Sequence, residues 1–477
     1  MRKLLIPLLF LLPVSLLSPG CGGSASSKTK TSGITYRALI SNSVGSGAGV
    51  YIVNAATDVL PRLAAIPAGA TPGMMVVTPN RTQTLVFSGD NRPSSDNQFS
   101  IIDNTSETTV GHTTLPGYTE SFVVSPDSSA AYIAMPTASV IGQSQGLIEV
   151  ISLNTGAFTG EIDIPSVHYL SISNSGSRVL AFSDVLASLA PPCDQTPSFL
   201  FVVTPSNVGI QPCPMVPVSG IKHPFDHPIT AFFSSDDTAA YVVNCGAECG
   251  GVQASVQKLE MVPAQCLPDG VCAAAPVPAA TVALVENSST MYLAGTPYSG
   301  GVPSQACNGQ TTAAPTCGVL TIFDLNTMSI VQPAVPPSYC AAGQQCPIVI
   351  TDGYHNRIAL GGNGQLFVGA RTCSEIIPPQ PPPQGAEVRG CLSIYNTLAT
   401  AVGNVPAGSV VVPPANGDAT GIQSIAKRTV VYVIQGGSLS IYDDTIDALE
   451  YNPNDPKNPG QIFGLVGYFI DVKTIDF

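Results

Sequence analysis

The sequence predicts an all-β fold, a single β-propeller of about eight four-stranded blades. Three observations predict it: a two-strand unit recurs along the chain, its first copies begin at steps typical of one blade, and no long stretch shows helical periodicity. Charged residues are sparse (10%), while Gly and Pro are abundant, as expected for strands joined by turns. Each unit can bury its faces only against neighbouring units.

The clearest copy of the unit is residues 125–156, which contain a turn, a strand, a hairpin loop, a second strand and another turn. Pro126 presets φ in the first turn, and the Asp and Ser beside it can bond to the backbone two residues on. Residues 130–134 and 147–153 are rich in aliphatic and β-branched side chains, as strands require. This unit is therefore predicted to be a hairpin that packs against other hairpins.

Equivalent positions of the first hairpin strand form a ladder along the chain: Leu39, Leu85, Tyr132, Leu180, Tyr241, Tyr292, Phe367 and Tyr432. The first three steps are 46, 47 and 48 residues, which suits one four-stranded propeller blade. Most of the longer steps carry insertions in the loop that joins the two hairpin strands. Eight units give eight blades, and seven is the alternative if the divergent stretch 256–262 is an insertion.

The two ends of the repeat region complement each other. The first hairpin, residues 36–54, has no inner strand before it, and the last apolar run, residues 468–473, has no hairpin after it. We therefore expect the C-terminal strand to complete the first blade, which closes the ring and removes free sheet edges.

Two stretches resemble the YVTN-type β-propeller repeat: SPDSSAAYIA followed by IEVISLNTG, and TPNRTQTLVFSGD followed by FSIIDNTSE. The family pattern is a Pro-Asp-Gly-like turn, a strand containing Tyr-Val, and a strand that ends in Ile-Asp before a Thr-containing turn. In this chain Ser128 and Asp237 replace the glycine of the turn. The resemblance covers residues 34–477 and implies the fold, but it implies no chemistry because the repeated residues are structural.

The N-terminus predicts export. Residues 1–20 resemble a lipoprotein signal peptide, with a positive start and an apolar run too short to span a membrane. Cys21 follows small residues, as in a bacterial lipobox where the cysteine is lipidated; a plain secretory signal is the alternative. Residues 21–33 are expected to be a flexible tether and residues 34–477 the propeller. We expect a lipid-anchored protein of the cell envelope, in the outer membrane if the cell is Gram-negative.

Cysteine usage predicts disulfide bonds. Besides Cys21 there are twelve cysteines between residues 193 and 391, an even number in a chain predicted to be exported. Most neighbouring pairs bracket one loop, which favours sequential pairing, and metal binding by the CxxxC at 245–249 is the rival interpretation. The favoured pairs are Cys193–Cys213, Cys245–Cys249, Cys266–Cys272, Cys307–Cys317, Cys340–Cys346 and Cys373–Cys391.

The charge balance argues against one class of partner. Asp and Glu number 31 against 18 Lys and Arg, which gives a net charge of −13. No basic stripe is present to neutralise phosphates, so we expect no nucleic acid partner. The sequence also has no nucleophile elbow, HExxH zinc motif, P-loop or dinucleotide-binding glycine pattern, and it requires no cofactor.

Candidate functional residues come from the repeat alignment. Glu120, His168 and His355 fall at one equivalent position just before the inner strand, and His227 lies within about two residues of that position. In a propeller this position lines the mouth of the central channel, where such side chains could bind a metal or act as acid and base. Solvated turn residues with no such role are the alternative interpretation.

Three functions remain open. The leading one is a non-enzymatic, membrane-tethered scaffold that binds a protein, a glycan or another envelope component through a disulfide-bridged loop face. The second is an enzyme that resembles the lactonase-type propellers and uses a metal or an acid/base cluster at the channel mouth. The third is a structural or sensory role in the envelope. The first is favoured because the loops are long and cysteine-rich and no catalytic motif is evident.

Overall fold

The structure is a computed structural model of the 477-residue chain. It describes residues 32–476 except 91, 93, 141–143, 188–197, 206–212, 215–224, 262–263, 266–273, 300–301, 304–316, 334, 336–346, 374–390, 403–405, 414–416 and 450–466. Short 3-10 helices lie at Gly45–Gly47 and Gly246–Cys249. Within the described ranges, no helix is long and apolar enough to cross a membrane.

Eight antiparallel sheets form the ring of a β-propeller, as predicted. In each blade the inner, second, third and outer strands follow one another, and blade 1 takes its inner strand from the C-terminal part of the chain. The strands of blades 1 to 4, from the inside out, are Phe469–Thr474, Arg37–Asn42 and Gly49–Asn54; Pro72–Val77, Gln83–Ser88, Gln98–Asp103 and Thr108–Thr114; Ser121–Val124, Ala130–Met135, Leu147–Ser152 and Phe158–Asp163; Val167–Ile172, Val179–Ala187, Ser198–Val203 and Cys213–Pro214.

In blades 5 and 6 the third strand is paired along its outer edge by two short pieces. The strands of blades 5 to 8, in the same order, are Pro228–Phe233, Ala239–Asn244, Ser255–Met261, Ala264–Gln265 and Ala274–Pro276; Val282–Glu286, Thr290–Gly295, Gly318–Asp324, Ser329–Ile330 and Ile348–Ile350; Tyr354–Leu360, Gln365–Arg371, Leu392–Asn396 and Val410–Val411; Ala419–Ile425, Val430–Gln435, Ser438–Asp443 and Ala448–Leu449. A small separate hairpin pairs Tyr298–Ser299 with Val302–Pro303.

The number of blades is eight because the least regular unit of the sequence is a full member of the ring. The stretch 256–262 corresponds to Ser255–Met261, which pairs over six residues with Ala239–Asn244 as the third strand of blade 5. Blade 1 has isolated bridges from Val50 to Ile66 and from Asn54 to Val59 where the other blades have an outer strand.

The predicted ring closure is confirmed. Ile40 pairs with Val472, so the strand Phe469–Thr474 lies in the same sheet as the first hairpin. Arg37 reinforces this junction, because its guanidinium donates to both carboxylate oxygens of Asp476 at 2.7–2.8 Å and to Glu107 of blade 2 at 2.8 Å. Such bidentate charged hydrogen bonds are among the stronger polar contacts in proteins.

The turn that begins the repeat is held by its own side chains. In blade 3, Ser125 Oγ donates to Asp127 Oδ1 at 2.6 Å, and Asp127 accepts the backbone N–H of Ser129 at 3.0 Å. These hydrogen bonds lower the pKa of Asp127. Ser128 adopts a left-handed φ of 61° at the position where the repeat pattern has glycine. The turn therefore tolerates the replacement because its neighbours fix the backbone.

The hydrophobic core lies between adjacent blades rather than in one central cluster. Leu85 and Phe99 of blade 2 pack with Ile133 and Ile151 of blade 3, and equivalent clusters fill the other interfaces. Strands alternate their side chains between two faces, so each blade contributes one apolar set to each neighbour. The residues that begin the inner strands lie around the axis of the ring.

The loops that join second and third strands lie at one end of the propeller, which we call the loop face. Antiparallel pairing puts the start of an inner strand beside the end of the second strand, as Pro228 beside Asn244 and Tyr354 beside Arg371. The loop face and the mouth of the central channel are therefore the same side of the molecule.

Candidate functional site

A β-bulge at the start of the inner strand recurs in six blades. The pairing register shifts there, and the extra residue is His168 in blade 4, Ile229 in blade 5, Asn356 in blade 7 and Thr420 in blade 8. In blades 1 and 2 the residues 470–471 and 73–74 lie opposite one residue of the second strand. A bulge inserts one residue opposite the partner strand and resets the alternation of side chains. Ile229, Asn356 and Thr420 consequently line the channel.

A cavity of about 930 Å³ occupies the mouth of the channel. All eight blades contribute a residue from the start of the inner strand or next to it, which places the cavity on the ring axis. These residues are Ile470, Gly73, Glu120, Tyr169, Thr230, Val282, Asn356 and Thr420. A cavity of this size suits a small molecule or the terminal units of a longer one.

Four tyrosines form part of the cavity wall, Tyr468 and the three discussed here, Tyr118, Tyr169 and Tyr354. The Tyr118 hydroxyl donates to Glu120 Oε1 at 3.2 Å, and burial together with the nearby Glu120 carboxylate raises the pKa of Tyr118 to about 12. Tyr169 of blade 4 and Tyr354 of blade 7 interact through their hydroxyl groups across the channel, and burial raises the pKa of both. All three phenols are therefore neutral at pH 7 and combine a hydrogen-bonding group with a flat apolar ring.

Two arginines of blade 7 lie near each other in the same wall. Arg357 donates from Nε to the Thr420 carbonyl oxygen at 2.7 Å and from Nη1 to the Asn356 carbonyl oxygen at 2.9 Å. The Asn356 side-chain oxygen, assigned from its neighbours, accepts from Arg371 Nε at 2.7 Å. Burial lowers the pKa of Arg357. The positive charge of Arg371 lowers this pKa further, and the carboxylate of Asp471 raises it. Both side chains stay cationic, since arginine does not lose its proton in proteins.

The structure brings Glu120 and His168 together and adds Asp184. His168 Nδ1 lies 3.6 Å from Glu120 Oε2, and His168 Nε2 lies 3.1 Å from Asp184 Oδ2. Burial raises the pKa of Asp184, and the two imidazoles of His168 and His227 oppose that rise. Because its two nitrogens face two carboxylates, the His168 ring bridges the acids, and of these three residues only Glu120 lines the cavity.

His227 supports a loop. Its Nδ1 is 3.1 Å from Asp226 Oδ1, and Asp226 Oδ2 accepts the backbone N–H groups of Val252 and Gln253 at 2.7 Å each. The His227 carbonyl oxygen accepts the N–H of Cys245 at 2.9 Å. This residue therefore fixes the segment around the disulfide-bridged turn of blade 5.

His355 does not reach the channel, which differs from the expectation for this position. It is fully buried, and its Nε2 donates to the Thr351 carbonyl oxygen at 2.9 Å. Burial lowers the pKa of His355 to about 4, so the ring is neutral at pH 7. The bulge explains the difference, because Asn356 is the equivalent of His168 and His355 is the equivalent of the buried Val167.

The four predicted residues do not converge on one point. In the part of the chain that the structure describes, no group of three or more His, Cys, Asp or Glu side chains is arranged to hold a metal ion. The carboxylates beside His168 lie at opposite nitrogens of its ring, and His355 belongs to the interior of a blade interface. His168 and Asp184 are close enough to exchange a proton, whereas Glu120 lies 3.6 Å from His168 Nδ1, which has no hydrogen-bond partner in the described residues.

Two predicted disulfides lie on the loop face, Cys245–Cys249 and Cys373–Cys391, so the CxxxC at 245–249 is a disulfide and not a metal site. Cys317 is also disulfide-bonded, and its predicted partner Cys307 lies outside the described residues. The side chain of Cys213 also lies outside the described residues. The other predicted cysteines lie outside them entirely: Cys21, Cys193, Cys266, Cys272, Cys340 and Cys346.

The two arginines were not predicted from the sequence. A signal was available for one of them, because Arg357 directly follows the bulge residue of its blade. The other bulged blades carry Met74, Tyr169, Thr230, Gly421 or Asp471 at that position, and of these only Asp471 of blade 1 is charged. A charged residue at a repeat position that is mostly uncharged indicates a local role rather than a structural one. Arg371 gives no such signal.

No family model matches the chain, and no curated protein matches it by sequence. Among solved structures, hydrazine synthase of Kuenenia stuttgartiensis is similar with a TM-score of 0.50 at 10% identity, over 81% of this chain and 99% of that one. A putative 6-phosphogluconolactonase of Bacteroides uniformis has a TM-score of 0.43 at 12% identity, over 82% of this chain and 99% of that one. A periplasmic gluconolactonase of Pseudomonas aeruginosa has a TM-score of 0.42 at 12% identity, over 92% of this chain and 98% of that one. At such identities the likeness shows the β-propeller fold alone.

Proposed function

We propose that this protein is an envelope-tethered binding protein whose ligand enters the channel mouth on the loop face. The observation that supports this best is the 930 Å³ cavity on the ring axis, whose wall contains four tyrosines. His168, the imidazole beside this wall, faces Glu120 and Asp184. Concave sites with a few convergent polar groups on a rigid scaffold are typical of small-ligand binding.

The proposed ligand class is a glycan or another polyhydroxylated envelope component. Tyr118, Tyr169 and Tyr354 offer flat rings for the apolar faces of sugars, and their hydroxyls and Glu120 offer hydrogen bonds for sugar hydroxyls. The Cys245–Cys249 and Cys373–Cys391 bridges constrain loops of this face before the ligand arrives. A site organised in advance loses less conformational entropy on binding.

Attachment to the envelope through lipidated Cys21 is part of the same proposal. A tether over residues 21–33, as expected from their composition, would place the propeller near a membrane surface. Metabolic labelling with a radioactive fatty acid tests this directly. We expect label on the wild type and none on Cys21→Ala, and equal labelling of both would contradict the anchor.

Saturation-transfer NMR with a panel of envelope-derived oligosaccharides tests the binding site. We expect at least one oligosaccharide to give signals that weaken strongly in Tyr354→Ala, because this variant removes an aromatic wall of the cavity. Phe158→Ala is the matched control, since Phe158 is an exposed aromatic on the outer strand of blade 3. Signals that survive Tyr354→Ala unchanged would place the binding site elsewhere.

Hydrolysis of a lactone is a second candidate, favoured by one observation. Glu120 lines the cavity 3.6 Å from His168 Nδ1, and the other ring nitrogen lies 3.1 Å from Asp184, so a small movement of Glu120 would complete a path for a proton between the carboxylates. Turnover of a lactone that disappears in both Glu120→Gln and His168→Asn would replace the binding proposal by a hydrolase. Turnover that is absent in the wild type would leave binding as the function.

A further inference from the structure

We infer that the ligand of the channel mouth is an anion, bound through a carboxylate, phosphate or sulfate group by Arg357 and Arg371. This inference rests on the proposed binding function and names the chemistry of its ligand. It starts from an imbalance, since the chain carries 31 acidic and only 18 basic residues. Three of its arginines nevertheless line one cavity; Arg92 pairs with Asp90, and Arg357 and Arg371 lie together.

Neither guanidinium forms an ion pair within the described part of the chain. The other arginines of the ring junctions do: Arg37 meets Glu107 and Asp476, and Arg428 meets Asp58. The hydrogen bonds of Arg357 use its Nε and Nη1 and go to two backbone carbonyl oxygens, which leaves Nη2 without a protein partner among the described residues.

The neighbouring acids have other partners, and Glu120, the cavity carboxylate that attracts Arg357, accepts the Tyr118 hydroxyl at 3.2 Å. Asp471 is almost fully buried and accepts the N–H of Met75 at 3.0 Å and Lys473 Nζ at 2.9 Å. Asp418, which also lines the cavity, accepts the N–H of Thr372 at 2.9 Å. The two guanidinium groups therefore repel each other in a partly desolvated wall, and a cation pair of this kind is stabilised when a ligand supplies the negative charge.

The geometry of the donors favours an oxyanion over a halide. A guanidinium group presents paired N–H donors that match the two oxygens of a carboxylate or phosphate. Asn356 holds both arginines, because its backbone carbonyl accepts from Arg357 and its side-chain oxygen accepts from Arg371. With the tyrosines in the same wall, the ligand that fits best is an acidic sugar or the acidic end of a glycan.

Isothermal titration calorimetry with a galacturonic acid trimer and its methyl ester tests the inference on the full mature protein. The methyl ester lacks the negative charge of the carboxylates but has the same sugar units. We expect the acid to bind about 10- to 100-fold more tightly than the ester, and Arg371→Gln to abolish this difference. Arg371 is exposed, so its replacement preserves the fold, while Arg357→Gln probes the second guanidinium.

Arg178→Gln is the matched control, because Arg178 lies at the opposite end of blade 4 and its guanidinium contacts the Ser177 carbonyl oxygen. This variant should retain the full preference for the acid. Inorganic phosphate and sulfate should compete with the trimer, which separates oxyanion recognition from recognition of a uronate alone. Equal binding of acid and ester would overturn the inference and leave the proposed sugar-binding function intact. Binding of the acid that survives both arginine replacements would also overturn it.

Discussion

The turn after the third strand carries an acidic residue with left-handed φ in blades 1, 2 and 8, namely Asp58, Glu107 and Asp447. Two of these acids have an arginine partner from the preceding blade of the ring. Arg428 reaches Asp58 at 2.7 Å, and Arg37 reaches Glu107 at 2.8 Å. Asp447 is 2% exposed, and neither of its carboxylate oxygens has a hydrogen-bond partner in the described residues. We therefore expect Asp447→Asn to stabilise the protein.

The pKa of Asp447 gives the magnitude. Burial, with smaller contributions from the carboxylates of Asp444 and Asp443, raises this pKa from 3.8 to about 7. At about 1.4 kcal/mol for each pKa unit, an ionised Asp447 costs up to about 4 kcal/mol above pH 7. Local relaxation around a buried charge reduces such costs, and we expect about 1–2 kcal/mol in practice.

The sign of the pH dependence follows from the direction of the pKa change. The folded protein holds the proton of Asp447 more tightly than the unfolded chain does, so stability falls as the pH rises from 3.8 through 7. Asp447→Asn removes this titration. It should raise the free energy of unfolding by about 1–2 kcal/mol at pH 8 and by clearly less at pH 5, where the wild-type carboxyl is protonated in the folded state.

Urea unfolding at pH 5 and pH 8, followed by tyrosine fluorescence because the chain has no Trp, measures both values. Asp58→Asn is the control at the same turn position. It should lower the free energy of unfolding by about 1–3 kcal/mol, because it leaves Arg428 without its carboxylate. A gain for Asp447→Asn that is equal at both pH values, or no gain at pH 8, would refute the reasoning.

Two further predictions concern stability. Replacing Cys373 and Cys391 by Ala opens the bridge on the loop face and should lower the free energy of unfolding by about 3 kcal/mol, with an unchanged urea midpoint as the contrary result. Gly318→Ala should destabilise by about 2 kcal/mol or more, because the added methyl group would meet the Thr351 carbonyl oxygen, whereas Gly111→Ala meets only ordinary contacts. Differential scanning calorimetry measures both glycine variants, and equal melting temperatures for Gly318→Ala and Gly111→Ala would contradict the packing argument.

The fold could be predicted from the sequence because its determinants are local and repeated. Turn residues such as Ser125 and Asp127 bond to their own backbone, and the strands beside them alternate or remain apolar over short runs. Each copy supports the interpretation of the others, so even the irregular Ser255–Met261 takes its expected place. Ring closure followed from the missing strands at the two ends of the repeat region.

The site was predicted less well, because a shift of one residue in the strand pairing decides which side chains reach the channel. A bulge places Asn356 where the repeat alignment puts His355, and one residue is enough to move a side chain from the channel to the core. Asp184 lies in the extension of a strand, beyond the part that repeats. Arg357 and Arg371 become neighbours because their strands pair, and no local pattern of the sequence indicates this contact.

The closure of blade 1 has a consequence for the order of events during synthesis. Arg37 and Asp476 are 439 residues apart in the chain, so the contact between them forms only after almost the whole polypeptide has been made. Until then the strand Arg37–Asn42 has a free edge, and such edges are prone to pairing with other chains. For an exported chain, as proposed here, late closure delays completion of the ring until the C-terminal strand has arrived. A chaperone that covers the first hairpin during this interval would protect the protein when it is most vulnerable to aggregation.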